Sequence, residues 1–121
     1  DIDNAYQLVN SMYKTDLELY NGAYQRINPT IKIENLLIIL KKLNFDIPSV
    51  STENIIIEYS DFNKLLNDIR SSNLSYCYED KKRYFERKNY FKILKKNYLK
   101  DYGNGNYILK LKFNIVSAWK K

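Results

Sequence analysis

The clearest periodicity in the chain lies at Ile33, Leu36, Leu37, Leu40 and Leu43, where apolar residues recur at steps of three and four and share one helical face. Thr30 is placed to cap that helix. Asn28-Pro29 ends whatever precedes it, because the residue before a proline is pushed out of the α region. Upstream, Thr15-Asp16 reads as an N-cap for a helix from Leu17 to Gln25, with Asp16 and Glu18 suited to the positive end of its dipole. Residues 5–13 fit a short buried strand or a helical turn equally well, since so short a pattern does not separate the two. Beyond Asn44 the chain turns, and Asn54-Ile55-Ile56-Ile57-Glu58-Tyr59 reads as a β-branched strand. Ser60 or Asp61 then caps a short helix with Phe62, Leu65, Leu66 and Ile69 as its stripe, and Ser71-Ser72-Asn73 forms a loop.

The last third carries two further elements. From about Asn89 to Tyr102 the pattern is helical: at ~100° per residue, Phe91, Leu94, Tyr98 and Tyr102 fall on one side. Lys88, Lys92, Lys95, Lys96 and Lys100 gather on another. A Gly/Asn-rich turn, Gly103-Asn104-Gly105-Asn106, leads into a strand with Tyr107, Leu109, Leu111, Phe113 and Ile115 on one face and Lys110, Lys112 and Asn114 on the other. That alternation is half-buried. Towards Val116 and Ala118 the second face turns apolar too, so that end is expected to be covered.

A length of 121 residues suits one domain, 1–121, and no run approaches the ~20 apolar residues of a membrane span. The single cysteine, Cys77, permits no internal disulfide and points to a reducing, cytoplasmic setting. With no histidine, imidazole-based triads and metal sites are excluded, and Cys77 lacks the partner that would make it a nucleophile. A zinc site is not expected. Charge is more informative. Residues 80–101 hold nine basic groups against Asp80, Glu86 and Asp101, while the rest of the chain balances eleven against eleven. The whole excess of +6 therefore sits in one segment.

The order helix, strand, helix, basic helix, glycine turn, terminal strand ending in Trp119-Lys120 resembles the C-terminal half of the class I S-adenosylmethionine-dependent methyltransferase fold. Within that superfamily it looks most like the biotin-synthesis malonyl-carrier-protein methyltransferases and the complex I assembly factors that are arginine hydroxylases. Four stretches carry the likeness: Thr15-Asp16-Leu17-Glu18-Leu19; Glu34-Asn35-Leu36-Leu37 through Asn44-Phe45; Tyr59 to Arg70; and Tyr102-Gly103-Asn104 to Trp119-Lys120. The resemblance implies an α/β fold, the C-terminal part of a Rossmann-like methyltransferase, with few strands and the last pair antiparallel. Residues 60–101 would be a helical insertion on the substrate side. Arg83, Arg87 and Lys88 fall where the family carries basic residues at the start of its second insertion helix, and with Lys92 and Lys96 they are the candidate substrate- or partner-binding set. Guanidinium forks suit a carboxylate or an acidic carrier protein.

The departures from that family are equally specific. Its cofactor sits on a glycine-rich turn after the first strand, yet Gly22, Gly103 and Gly105 are the only glycines here and none opens a strand-to-helix turn. S-adenosylmethionine therefore belongs to the parent family. None is expected for this chain alone, and no catalytic or cofactor-binding residue is assigned. The chain opens on Asp1 rather than a methionine, compatible with absent upstream residues. The expected partner is a separate cofactor-binding half. Another reading is a small basic adaptor that binds an acidic protein, or less readily a nucleic acid, through residues 81–100, where Tyr84, Phe85, Tyr90, Phe91 and Tyr98 are interleaved. A homodimer that covers an exposed sheet edge is a third.

Overall fold

The computed structural model describes residues 4–77, 86–103 and 105–121, with Pro48 described in its backbone only. Four helices and two strands follow in the order α1 (Tyr6–Tyr20), α2 (Ile33–Lys42), β1 (Phe45–Tyr59), α3 (Phe62–Ser71), α4 (Tyr90–Tyr102) and β2 (Tyr107–Lys120). The strands form one antiparallel ribbon, with Tyr59 opposite Tyr107 and Val50 opposite Val116.

Helix α1 runs unbroken through Thr15-Asp16, so the cap expected there does not form. Its buried stripe starts earlier, at Leu8, and continues through Ser11, Met12, Thr15 and Asp16. The hydroxyls on that stripe need no water: Ser11 donates to the Gln7 carbonyl at 2.7 Å and Thr15 to the Ser11 carbonyl at 2.8 Å. Residues 6–13, ambiguous by pattern, are thereby helical. Asn21, at φ 54°, ends the helix in the left-handed conformation that asparagine tolerates. Thr30 does not cap α2 either; Lys32 holds that position without a side-chain bond. Asp61 does cap α3, accepting from the Asn63 amide at 2.9 Å.

The core gathers where one face of the ribbon meets three helices. Tyr59, Tyr107 and Leu109 are buried against Phe62, Leu65, Leu66 and Ile69 of α3, Leu94 and Tyr98 of α4, and Leu8 and Met12 of α1. The Phe62 ring lies 5.1 Å from that of Tyr107, and Tyr98 lies 5.4 Å from the same ring. Gly103 lets the chain leave α4 tightly, since a Cβ there would sit 2.3 Å from the Leu99 carbonyl oxygen. Gly105 takes φ +86° in the following turn, which a side chain would strain.

The ribbon outreaches this core. Fourteen residues at about 3.3 Å each extend roughly 45 Å, beyond what three short helices cover. The alternation in β2 therefore holds only at its start: Tyr107 and Leu109 are buried, whereas Phe113 and Ile115 on the same face are exposed. At the far end α2 packs on β1 and shares a hollow with Thr52, Lys112 and Asn114 on the opposite face. Val116 and Ala118 are half-buried there, while Ile115 and Trp119 remain 55% and 61% exposed. The expected covering is thus partial. Strand β1 is also longer than Asn54–Tyr59, because pairing with β2 extends it back to Phe45. Pro48 is accommodated at an irregularity in the register between Asp46 and Ser49.

The outer edge of β2 is closed residue by residue at its beginning. The Tyr98 hydroxyl accepts from the Ile108 amide at 2.8 Å and donates to its carbonyl at 3.1 Å. The Ala5 amide donates to the Lys110 carbonyl at 2.9 Å. The Asn4 side chain stands in for a peptide group, accepting from the Lys112 amide at 2.6 Å and reaching its carbonyl at 3.4 Å.

Candidate functional site

Helix α4 presents Tyr90, Leu94 and Tyr98 to the core, and this leaves Lys92, Lys95, Lys96 and Lys100 in solvent. Lys92 and Lys96 lie one turn apart on one face, and exposed Lys88 lies one turn further back, in the approach to the helix. The structure therefore brings together three of the five candidate residues, Lys88, Lys92 and Lys96. Arg87 is exposed too, but its guanidinium sits over the Tyr20 ring of α1 at 5.2 Å and its amide donates to the Tyr20 hydroxyl at 3.0 Å. Arg83, with Tyr84 and Phe85, lies outside the described residues.

Among the described residues, no carboxylate pairs with these lysines. The first turn of α4 holds no acidic residue but does hold Lys92, the wrong sign for the positive end of the helix dipole. Such a face is slightly costly to the free chain and is ready to be neutralised from outside.

Beneath it lies a charged knot that sequence reasoning missed. Asp16 is fully buried in α1, and Arg26 reaches it from the loop after that helix. The Arg26 Nη2 donates to Asp16 Oδ1 at 2.5 Å, and its Nε lies 3.2 and 3.1 Å from the two carboxylate oxygens. The Tyr24 amide adds a bond to Oδ2 at 3.1 Å. The same guanidinium pairs through Nη1 with Glu86, which also accepts from the Tyr20 hydroxyl at 2.8 Å, and it lies 4.4 Å over the Tyr90 ring. Burial alone would lower the Arg26 pKa, but its bonds to Asp16 and Glu86 outweigh that and hold it above its usual value. The knot ties α1, the Arg26 loop and the approach to α4 into one body, fixing where the basic face stands. Only the pair spacing of Asp16 and Arg26 was available in the sequence, and a separation of ten residues matches no helical contact.

Among the described residues, the Tyr90 hydroxyl and the Gln7 side-chain carbonyl oxygen are buried without a hydrogen-bond partner. Burial pushes the Tyr90 phenol well above its ordinary range. Tyr59 is raised to about 12, first by burial and then by the bond its hydroxyl donates to Asp68 at 2.6 Å. Among the described residues, no group of histidine, cysteine and carboxylate side chains is set to hold a metal ion. Cys77 is exposed, next to Asn28. Gly22 follows α1, and Gly103 and Gly105 lie between α4 and β2. Gly103 serves the exit from α4 and Gly105 the turn into β2. No helix among the described residues is long and apolar enough to cross a membrane.

Over 69 residues the chain is 30% identical to "Arginine-hydroxylase NDUFAF5, mitochondrial" of Dictyostelium discoideum. The match covers 57% of this chain and 16% of that protein, so the chain spans about a sixth of the length of the curated relative it matches. No family model matches, and no solved structure matches. The similarity hints at a methyltransferase-related region.

Proposed function

We propose that this chain is the C-terminal, substrate-side part of a methyltransferase-like protein, in which α3 and α4 form the insertion over the active-site mouth. The basic face of α4 meets a carboxylate-bearing substrate or an acidic partner, and a separate half binds S-adenosylmethionine. The observation that carries this reading is the similarity to an arginine hydroxylase. An element order closing in an antiparallel strand pair around two helices supports it. Catalysis in such an assembly rests on holding the acceptor against the cofactor's reacting group, so this chain supplies positioning and the companion half supplies the cofactor. By itself the chain is inactive.

Thermal shift with S-adenosylmethionine tests the proposal, on this chain alone and on the polypeptide joined to the reading frame encoded directly upstream. A shift for the joined protein only is the expected result. A shift for the chain alone, or for neither, removes it.

The second reading, a basic adaptor for an acidic protein, is favoured by the exposed lysines of α4, which pair with no carboxylate among the described residues. Under it, replacing Lys88, Lys92 and Lys96 by glutamate abolishes a salt-sensitive interaction with the acidic protein. Equal binding to a nucleic acid duplex would reassign the partner.

A further inference from the structure

In an antiparallel pair each residue turns its N–H and C=O to the same side, and successive residues alternate. Ile108, Lys110 and Lys112 turn theirs away from β1, towards Tyr98, Ala5 and Asn4. By the same alternation Asn114, Val116 and Ala118 also face outwards. Among the described residues, no hydrogen bond from outside the ribbon reaches their backbone groups. The closing of this edge thus stops halfway, and it stops where Phe113, Ile115 and Trp119 stand exposed.

What already lies on the edge indicates what fits the rest of it. Ala5 meets Lys110 through its amide and Asn4 meets Lys112 through its side chain, so the turn before α1 crosses this edge antiparallel to β2 and takes up its bonds as a strand would, without being one. The outer edge of β1 is guarded differently, by Glu58 among its outward residues and by Pro48 with the register shift at its start, which are devices of a terminal edge. From Asn114 to Ala118, strand β2 has neither a charged residue nor a proline. A second copy is a poor occupant: with Lys112 already bonded to Asn4, a twofold pairing centred on Val116 spans only Asn114 to Ala118, and it still brings Lys120 of each copy towards Lys112 of the other.

We propose that the edge of β2 from Asn114 to Ala118 takes an extended strand of a second polypeptide, antiparallel to β2. That strand is apolar on the side of Phe113, Ile115 and Trp119 and carries an acidic residue where it passes Lys120. Its main chain supplies the affinity and its alternate side chains the selectivity, as in other strand additions. The inference does not depend on the methyltransferase-like reading.

The test is residue-resolved amide exchange on the full chain, with and without a capped seven-residue peptide that begins with glutamate and continues in alternating valine and threonine. In the free chain the amides of Asn114, Val116 and Ala118 exchange fast while those of Phe113, Ile115 and Ser117 are protected. Excess peptide slows the three outward amides at least tenfold. A peptide N-methylated at alternate residues does nothing, and Val116→Pro loses the peptide effect while keeping protection at Phe113 and Ile115. Four results overturn the proposal: outward amides already slow in the free chain, slowing on the β1 edge instead, slowing that tracks chain concentration without peptide, or no slowing at all.

Discussion

Removing the guanidinium of Arg26 strands the Asp16 carboxylate, which has no solvent exposure and takes its bonds from Arg26 and the Tyr24 amide. Leaving one charge of a buried pair uncompensated costs about 3–5 kcal/mol. Losing the stack on Tyr90 adds roughly 0.5–2 kcal/mol. A chain of 121 residues has a total stability of about 6–18 kcal/mol, so Arg26→Met is expected to consume a large share of it. Urea denaturation followed by far-ultraviolet circular dichroism measures the effect, in a cycle with Asp16→Asn and the double variant. Asp16→Asn keeps the shape and removes the charge, so the double variant should recover about 2–3 kcal/mol relative to the sum of the singles. Arg26→Lys keeps the charge but loses the fork that holds Asp16 and Glu86 together, and it should fall between wild type and Arg26→Met. An Arg26→Met cost below about 1 kcal/mol, or strict additivity in the cycle, would refute the claim that Asp16 is buried and neutralised by this one residue.

Tyr98→Phe should cost about 1–3 kcal/mol in the same assay, because it leaves the Ile108 amide and carbonyl unpaired beside a buried ring. Gly103→Ala should cost about 1–3 kcal/mol through the clash with the Leu99 backbone, a loss visible as a lowered urea midpoint. For Tyr59 the sign follows from a folded pKa of about 12 against about 10 unfolded: its contribution is full below pH ~10 and disappears as pH rises towards 12. Tyrosine ring-carbon NMR should find late-titrating signals, one of which Tyr59→Phe removes. Ile115→Thr should change stability by no more than about 0.5 kcal/mol, leaving the urea midpoint nearly unchanged, since that side chain is mostly in solvent.

Helices α2, α3 and α4 were legible because each carries its own local signal, a stripe at helical steps or a capping aspartate at Asp61. Strand β2 was legible from its alternation. What stayed hidden depended on pairing across long separations. Asp16 looked like a cap because aspartate beside threonine usually is one, and only the Arg26 guanidinium and the Tyr24 amide folded onto it explain why a carboxylate can sit buried within a helix. Phe113 and Ile115 carry the right period to be core, but period reports a shared face and not whether anything reaches that face. The basic face of α4 was readable as a local charge excess, and its footing on the Asp16–Arg26–Glu86 knot was not.

The two margins of the ribbon are built unlike one another, one blunted by Glu58, Pro48 and an irregular register, the other merely unfinished. Stacking into fibres requires that every newcomer offer a fresh receptive side. On the proposed strand addition, a sheet with one receptive side is completed once and then has nowhere to grow, so the same asymmetry guards the molecule against endless self-addition.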